Sequence, residues 1–201
     1  MTGSIRATDG RTLGDRAKLT RENLLTCLTG LLADKGCGDA KVVDVAKAAN
    51  TSPATFYQYF PDIDSALLAL GQRAVEDARA HAFTDTASAE AVAGEFFALR
   101  RKHRVVLAAL DSRAARGDQR FTAIDRQFRA PVTAALAALA KERDPSAADD
   151  LIQQRVLPLV LMLSAASRDT SRSQGKATRA IAQSTTRIVG MVLATPAQLA
   201  A

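Results

Sequence analysis

One stretch, from Val42 to Phe60, limits what this chain can fold into more than any other. It predicts two short helices joined by a tight turn. Four residues of the first helix form one apolar stripe at helical spacing: Val42, Val45, Ala46 and Ala49. Asn50 follows them, and asparagine tolerates the left-handed backbone conformation that commonly ends a helix. Ser52 is then a favoured N-cap, and Pro53 suits the first position of a new helix.

The second helix is predicted over residues 53–59, and its two faces differ in chemistry. Phe56 and Phe60 are one helical turn apart and are predicted to point inward. The outward face carries small, hydroxyl and amide side chains: Ala54, Thr55, Tyr57 and Gln58. A short helix with such a face fits the major groove of DNA, where these groups can meet base edges and phosphates.

Three short motifs make up the centre of this stretch: Asp44-Val45-Ala46, Ala49-Asn50-Thr51-Ser52 and Thr55-Phe56-Tyr57-Gln58-Tyr59-Phe60. Their order and spacing resemble the helix-turn-helix of the TetR family of one-component transcriptional regulators. That family's pattern is roughly Asp-Ile-Ala, Ala-Gly-Val-Ser and Thr-Leu/Phe-Tyr-x-Tyr/His-Phe. The alternative is a helical hairpin in an unrelated all-α protein.

The reading face and the resemblance together predict which residues contact double-stranded DNA. Thr55 and Tyr57 are the predicted groove contacts. Five more residues are candidates for backbone or base contacts: Lys41, Ser52, Ala54, Gln58 and Tyr59. Phe56, Phe60 and Val45 are predicted to be the core of the same segment.

Two flanking positions depart from the family's pattern. The family usually has a phosphate-binding Lys one residue after the cap of the next helix, where this chain has Ile63. Loss of that contact should make the salt dependence of DNA binding shallower by about one unit. Lys41 stands where the family often has a Thr cap, so a cap is lost and a cation is gained near the DNA backbone.

Residues 1–18 have no periodic apolar pattern and hold four cations: Arg6, Arg11, Arg16 and Lys18. We interpret this segment as a flexible basic arm. Two roles are open for it: a solvated tail, or an arm that follows phosphates or enters the minor groove once DNA is bound.

Composition agrees with a helical protein. The chain has 201 residues, 47% of them hydrophobic, and its most frequent apolar types are the helix formers Ala and Leu together with Val. The net charge of +6 favours polyanionic partners only mildly. The densest basic run, Arg100–Arg104, lies far from the helix-turn-helix. Charge alone would therefore not identify DNA as the partner.

Several classes of site and location are not expected. Cys27 and Cys37 have no accompanying Cys/His ligand set, so no metal site is predicted. The first residues lack the apolar segment of a signal peptide. The longest apolar stretch, Val156–Ala166, is too short to cross a bilayer. We expect a soluble, cytoplasmic protein that does not bind membranes.

The predicted fold class is all-α, with a helix-turn-helix three-helix DNA-binding head followed by a helical-bundle ligand-binding and dimerisation body. The predicted domains are residues 1–18 (arm), 19–65 (DNA-binding) and 66–201 (regulation and dimerisation). Helix one is predicted from Thr20 to Lys35, with Asn23 as a weak capping partner of Thr20 and Gly36 after its end. Asp62 is the predicted cap of a long helix that reaches about Phe83. The later helices are predicted over residues 89–100, 102–115, 120–143, 147–167 and 174–194, with kinks at Pro131 and Pro158.

The body carries no pattern for chemistry, because no Ser/His/Asp set, phosphate loop or metal spacing occurs after residue 88. We therefore predict no enzyme, no catalytic residue and no cofactor. The family resemblance implies two other roles for the body. One is a homodimer through the last two helices, with nine patterned residues as the candidate face: Leu151, Val156, Leu159, Val160, Leu163, Ile181, Ile188, Val189 and Val192. Completion of a monomer core is the alternative for that face.

The second implied role is the binding of a small-molecule effector. Seven large apolar residues are the candidate pocket lining: Phe83, Phe96, Phe97, Leu110, Phe121, Phe128 and Met162. Plain core is the alternative for each of them. The predicted function is a repressor that binds a palindromic operator as a homodimer and is released by a small apolar effector. The alternative function is a helical protein–protein interaction scaffold with a vestigial DNA-binding head.

Overall fold

Helices alone make up the secondary structure of the computed structural model, which describes residues 14–35, 40–81, 83, 88–172 and 176–193. Within those residues there are nine helices and no strand, so the predicted all-α class is confirmed. In chain order they are α1 (Asp15–Lys35), α2 (Val42–Ala48), α3 (Pro53–Tyr59), α4 (Ile63–His81), α5 (Ala89–Lys102), α6 (Arg104–Ala114), α7 (Gln119–Arg143), α8 (Asp149–Arg172) and α9 (Lys176–Leu193).

The helices form two compact units. The first contains the described residues up to Arg73 together with Val105–Asp125, so it combines α1, α2, α3 and the start of α4 with most of α6 and the first residues of α7. The second contains Ala74–Arg104 and the described residues from Arg126 onward. The predicted boundary between residues 65 and 66 separates a DNA-binding domain from a regulatory and dimerisation domain. It describes roles rather than compact units and stays a prediction.

The start of α1 differs from its predicted position. The helix begins at Asp15 rather than Thr20, and the Lys18 Nζ atom lies 3.0 Å from the Asp15 Oδ1 atom one turn away. Thr20 does not act as the cap, because its hydroxyl donates to the Arg16 carbonyl (3.1 Å), a bond that threonine makes inside a helix. Residues 1–13 of the predicted arm, and the predicted helix end at Gly36, lie outside the described residues.

Most of the later helix boundaries lie within one or two residues of prediction, and the clearest differences concern α5 and α8. Helix α5 continues to Lys102, and His103 rather than Arg101 separates it from α6. Helix α8 begins at Asp149 because Ala147 is still in a turn, with its N–H donating to the Asp144 carbonyl (3.1 Å). It also runs on to Arg172, past its predicted end at residue 167. Both α7 and α8 continue through their internal prolines, so the kinks stay predictions.

The apolar residues that the sequence placed on one dimer face lie on two different faces of α8 and α9. Five of them are core of the second unit: Val156, Leu159, Val160, Leu163 and Val189. The monomer-core interpretation is thus right for those five. The other four are exposed: Leu151, Ile181, Ile188 and Val192. Three apolar residues that were not predicted join the exposed set: Leu157, Leu161 and Met191.

Gly71 of α4 is closely packed against its neighbours in the first unit. A Cβ atom at this position would lie 2.9 Å from the Ile124 Cγ2 atom and 3.0 Å from the Leu110 Cδ1 atom. Such distances are too short for carbon atoms, so any larger residue would push α4 away from its neighbours.

We expect Gly71→Ala to lower the free energy of unfolding by about 1–2 kcal/mol, because overpacking outweighs the gain in helix propensity. Gly30→Ala is the matched control, since Gly30 is also helical in the first unit and no atom lies within 4 Å of its added Cβ. That change should raise stability by roughly 0.5–1 kcal/mol. Thermal unfolding followed by circular dichroism measures both, and equal shifts for the two variants would contradict close packing at Gly71.

Candidate nucleic-acid interface

The turn between α2 and α3 is built as the sequence predicts. Asn50 takes a left-handed conformation with a φ of 53°. Its N–H donates to the Lys47 carbonyl (3.1 Å), and the N–H of Thr51 donates to the Ala46 carbonyl (2.9 Å). This pair of bonds is the Schellman motif, which satisfies carbonyls at the end of a helix. The chain therefore leaves α2 in one defined direction.

The first turn of α3 is also confirmed. The Ser52 side chain accepts a hydrogen bond from the backbone N–H of Thr55 (3.2 Å), and Pro53 occupies the first helical position. The two side-chain oxygens of Ser52 and Thr55 lie 3.1 Å apart. Thr55 therefore takes part in the cap and is half-buried. Its hydroxyl has less freedom to reach a base than the sequence alone suggested.

The inward face of α3 is apolar, as predicted. Phe56 is fully buried and Phe60 is 3% exposed, with their ring centroids 5.6 Å apart. Val45 of α2 is also fully buried. This contact fixes the rotation of α3 about its axis, so the same residues always face outward.

The outward face carries most of the predicted contacts. Tyr57 is 51% exposed, and its ring meets the Phe56 ring edge-on at 5.9 Å between centroids. Three more of the predicted contacts are exposed: Ser52, Ala54 and Gln58. A short face with a half-exposed aromatic ring, an amide and a hydroxyl can meet base edges and phosphates. The roles of these residues in binding stay predictions.

Tyr59 points in a different direction from the rest of the set. It is half-buried, and it lines an open surface recess of about 390 Å³ with residues at the start of α1. The other lining residues are Gly14, Asp15, Arg16, Ala17 and Thr20. Tyr59 therefore lies against the first turns of α1, beside the cation Arg16.

Helix α1 contacts the chain both before and after α3. The Asn23 side chain donates its Nδ2 hydrogen to the Ala49 carbonyl at the start of the turn (3.1 Å). The Arg21 guanidinium lies over the Phe60 ring, 4.9 Å from its centroid, just after α3 ends. Burial lowers the pKa of Arg21 from its usual value, and the nearby charge of Arg73 lowers it further. Neither contact could be predicted from the sequence, because the partners are far apart along the chain.

The residues that flank the helix-turn-helix are placed as their sequence differences from the family's pattern predict. Lys41 is the N-cap residue of α2; it is exposed and makes no side-chain cap bond. On the other side, the Asp62 carboxylate accepts a hydrogen bond from the Ser65 N–H (2.6 Å), which confirms Asp62 as the cap of α4. Ile63 is the first residue of α4 and is half-buried.

The seven candidate pocket residues do not belong to one unit. Leu110 and Phe121 are buried in the first unit, whereas the other five belong to the second: Phe83, Phe96, Phe97, Phe128 and Met162. Within the second unit, the rings of Phe96 and Phe128 lie 6.1 Å apart. The guanidinium of Arg100 is 5.9 Å and 5.8 Å from their centroids, and Arg100 is only 3% exposed. Two of the candidates thus form an aromatic pair with a buried cation beside it, and the role of all seven as a pocket stays a prediction.

The described part of the chain holds neither a candidate metal site nor a candidate membrane span. No group of three or more His, Cys, Asp or Glu residues there could hold a metal ion. None of its helices is both long and apolar enough to cross a membrane.

Two family models match adjoining parts of the chain. The model described as bacterial regulatory proteins, tetR family, matches residues 29–70. The model described as the tetracyclin repressor-like C-terminal domain matches residues 72–195. The first match contains the whole helix-turn-helix, and the second contains α5 to α9. No curated protein matches the chain significantly in sequence.

Solved structures share the fold at low sequence identity. GusR of Salmonella enterica is 17% identical, with a TM-score of 0.63 over 87% of this chain and 95% of that one. The fatty acid degradation regulator FadR of Bacillus halodurans is 14% identical, with a TM-score of 0.64 over 90% and 97%. RolR, solved in complex with its ligand resorcinol, is 19% identical, with a TM-score of 0.57 over 90% and 96%. At such identities the likeness shows the fold.

Proposed function

The chain belongs to the TetR family of bacterial regulatory proteins, which are DNA-binding regulators of transcription, and we propose that it is a repressor. In this proposal it binds a palindromic operator as a homodimer in the cytoplasm and is released by a small apolar effector. The observation that carries the proposal is the outward face of α3, which a capped turn and a buried phenylalanine pair hold in one orientation.

Tyr57 and Thr55 are the proposed groove contacts. Tyr57 has the most exposed ring on α3 and stands at its middle, where a helix lying in the major groove comes closest to the bases. Lys41 and Ser52 are at helix starts and are proposed to contact phosphates, together with Gln58 and Ala54 along the exposed face. Tyr59, which lies against α1, is proposed to contact the DNA backbone rather than a base.

An exposed apolar stripe on α8 and α9 supports the homodimer. On α8, Leu157 and Leu161 are one turn apart and 50% and 48% exposed. On α9, Ile181, Ile188 and Val192 share one face and are 38%, 44% and 52% exposed. Apolar stripes of this kind usually mark an interface. A second copy of the same chain is the occupant that a symmetric operator requires, because a two-fold axis then relates both the heads and the half-sites.

The aromatic pair in the second unit supports the effector part of the proposal. Phe96 and Phe128 offer ring faces, and Arg100 lies over both of them. RolR, a structural relative, holds resorcinol, a small aromatic molecule. An effector that favours a body shape with differently spaced heads lowers DNA affinity by its differential affinity for the two shapes. Screening small apolar compounds for loss of the DNA complex tests this part.

Selection of bound sequences from a pool of random DNA duplexes tests the proposal as a whole. We expect enrichment of an inverted repeat whose half-sites lie about one helical turn apart, roughly 34–36 Å. A reporter gene placed behind the selected sequence should then be silenced when the protein is present.

Each alternative outcome has its own meaning. Enrichment of a single, unrepeated half-site would contradict the homodimer on DNA. A reporter that is activated would contradict the repressor role. A pool that stays as random as at the start would contradict DNA binding and favour the interaction scaffold with a vestigial head.

A further inference from the structure

The first turn of α4 places two carboxylates close to the proposed reading helix. Asp62 and Asp64 flank Ile63, and only Phe60 and Pro61 separate Asp62 from the last residue of α3. At roughly 3.5 Å per residue, Asp62 is within about 10 Å of Tyr59. That distance is close to the screening length of about 8–10 Å at moderate salt. Uncompensated carboxylates here would repel the phosphates of any DNA bound along α3.

Arg113, near the end of α6, compensates the second of these carboxylates. Its Nε–H donates to the Asp64 Oδ1 atom at 2.8 Å. The side chains of Arg113 and Asp64 are only 15% and 33% exposed, so solvent screens the pair less than it screens an ordinary surface ion pair. The Asp64 charge is therefore largely balanced at short range.

The start of α7 places further charge at the same end of α4. Arg120 donates to both carboxylate oxygens of Asp118, with its shortest contact at 2.7 Å. The pKa of Asp62 lies below its usual range, mainly through hydrogen bonds from Ser65 and to a smaller extent through the charge of Arg120. Asp62 is thus ionised and only weakly compensated, whereas Asp64 is paired directly.

Arg113 is the direct partner of Asp64, whereas Arg120 bonds Asp118. Removing the guanidinium of Arg113 therefore leaves the Asp64 carboxylate without that partner, beside the proposed DNA surface.

We propose that Arg113 is a positioning residue for DNA binding, which acts by neutralising Asp64 so that the first turn of α4 can approach the phosphate backbone. Ile63, between the two carboxylates, supplies no cation of its own. The arginine from α6 therefore removes the repulsion at this turn. The inference rests on the proposed function, because it needs α3 to lie on DNA.

The test compares Arg113→Gln, Asp64→Asn and the double variant with the unchanged protein. The probe is a fluorescein-labelled DNA duplex of mixed sequence, bound at low salt and followed by fluorescence anisotropy. Non-specific binding depends on phosphates alone, so no operator is needed. Arg113→Gln should weaken binding about tenfold at low salt and less at high salt, because it exposes one carboxylate charge per subunit. The double variant should return to within about threefold of the unchanged protein, because the exposed charge is gone.

The outcomes separate an electrostatic role from a structural one. A double variant that binds as weakly as Arg113→Gln, or an Arg113→Gln protein that binds normally, would overturn the inference. If Arg113→Gln does not fold, Asp64→Asn decides alone: tighter binding supports the inference, and unchanged or weaker binding overturns it. Failure of the unchanged protein to bind any duplex at low salt would instead contradict the proposed function.

Discussion

Tyr57→Ala is expected to weaken operator binding by at least about a hundredfold while the protein stays folded and keeps the oligomeric state of the unchanged protein. A good base contact contributes about 1–3 kcal/mol, and a symmetric dimer loses the contact at both half-sites. The fold should survive because the Tyr57 side chain is 51% exposed and its ring touches the core only through the edge of Phe56. Anisotropy titrations with the selected operator measure the loss.

Two comparisons make the result specific. Tyr57→Phe keeps the ring and removes only the hydroxyl, so it separates a hydrogen bond to DNA from packing against it. Thermal unfolding should show nearly the same midpoint for all three proteins, because little buried area changes. Operator binding that survives Tyr57→Ala would mean that another element reads the DNA.

The helix-turn-helix could be predicted because its determinants are local. Asn50 ends α2 through its own backbone conformation, and Ser52 caps α3 through a bond to a residue three positions away. Phe56 and Phe60 share a face because of helical periodicity alone. None of these features needs a distant part of the chain, and all of them appear where the sequence placed them.

The supports of this segment could not be predicted, because they join distant residues. Asn23 bonds a carbonyl 26 positions away, and Arg113 pairs with a carboxylate 49 positions away. A single sequence holds no signal for such pairs. The start of α1 was also predicted wrongly from local sequence. Thr20 is a favoured capping residue, but it lies inside a helix that has already begun at Asp15.

The prediction of which α8 residues face outward was partly wrong, for a different reason. Val156 and Val160 are buried, while Leu157 and Leu161, their immediate neighbours, are about half exposed. Every residue from Val156 to Leu163 is apolar, so this part of α8 has no polar face to show which side points to the core. The sequence therefore assigned both buried and exposed residues to one predicted dimer face, and the interface itself stays a prediction.

The proposed homodimer predicts that Leu161→Glu combined with Ile188→Glu yields a folded monomer at concentrations where we expect the unchanged protein to form a dimer. Each side chain is worth roughly 1.5–3 kcal/mol when it is buried, and a two-fold interface contains each of them twice. A carboxylate buried there without a partner would add a further cost. The monomer should remain folded, because Leu161 and Ile188 are already 48% and 44% exposed without a partner.

Analytical ultracentrifugation measures this change, with Ala98→Glu as its control because Ala98 is an exposed apolar residue of the same unit on α5. Loss of the dimer should also reduce operator affinity by at least about a hundredfold. A single head can occupy only one half-site and loses the gain in affinity from a second, linked head. Non-specific binding should fall much less, because each head keeps its own cations. A double-glutamate variant that sediments like the unchanged protein would mean that the exposed stripe on α8 and α9 does not join two copies. In that case, the operator would have to be read by heads held together through some other surface.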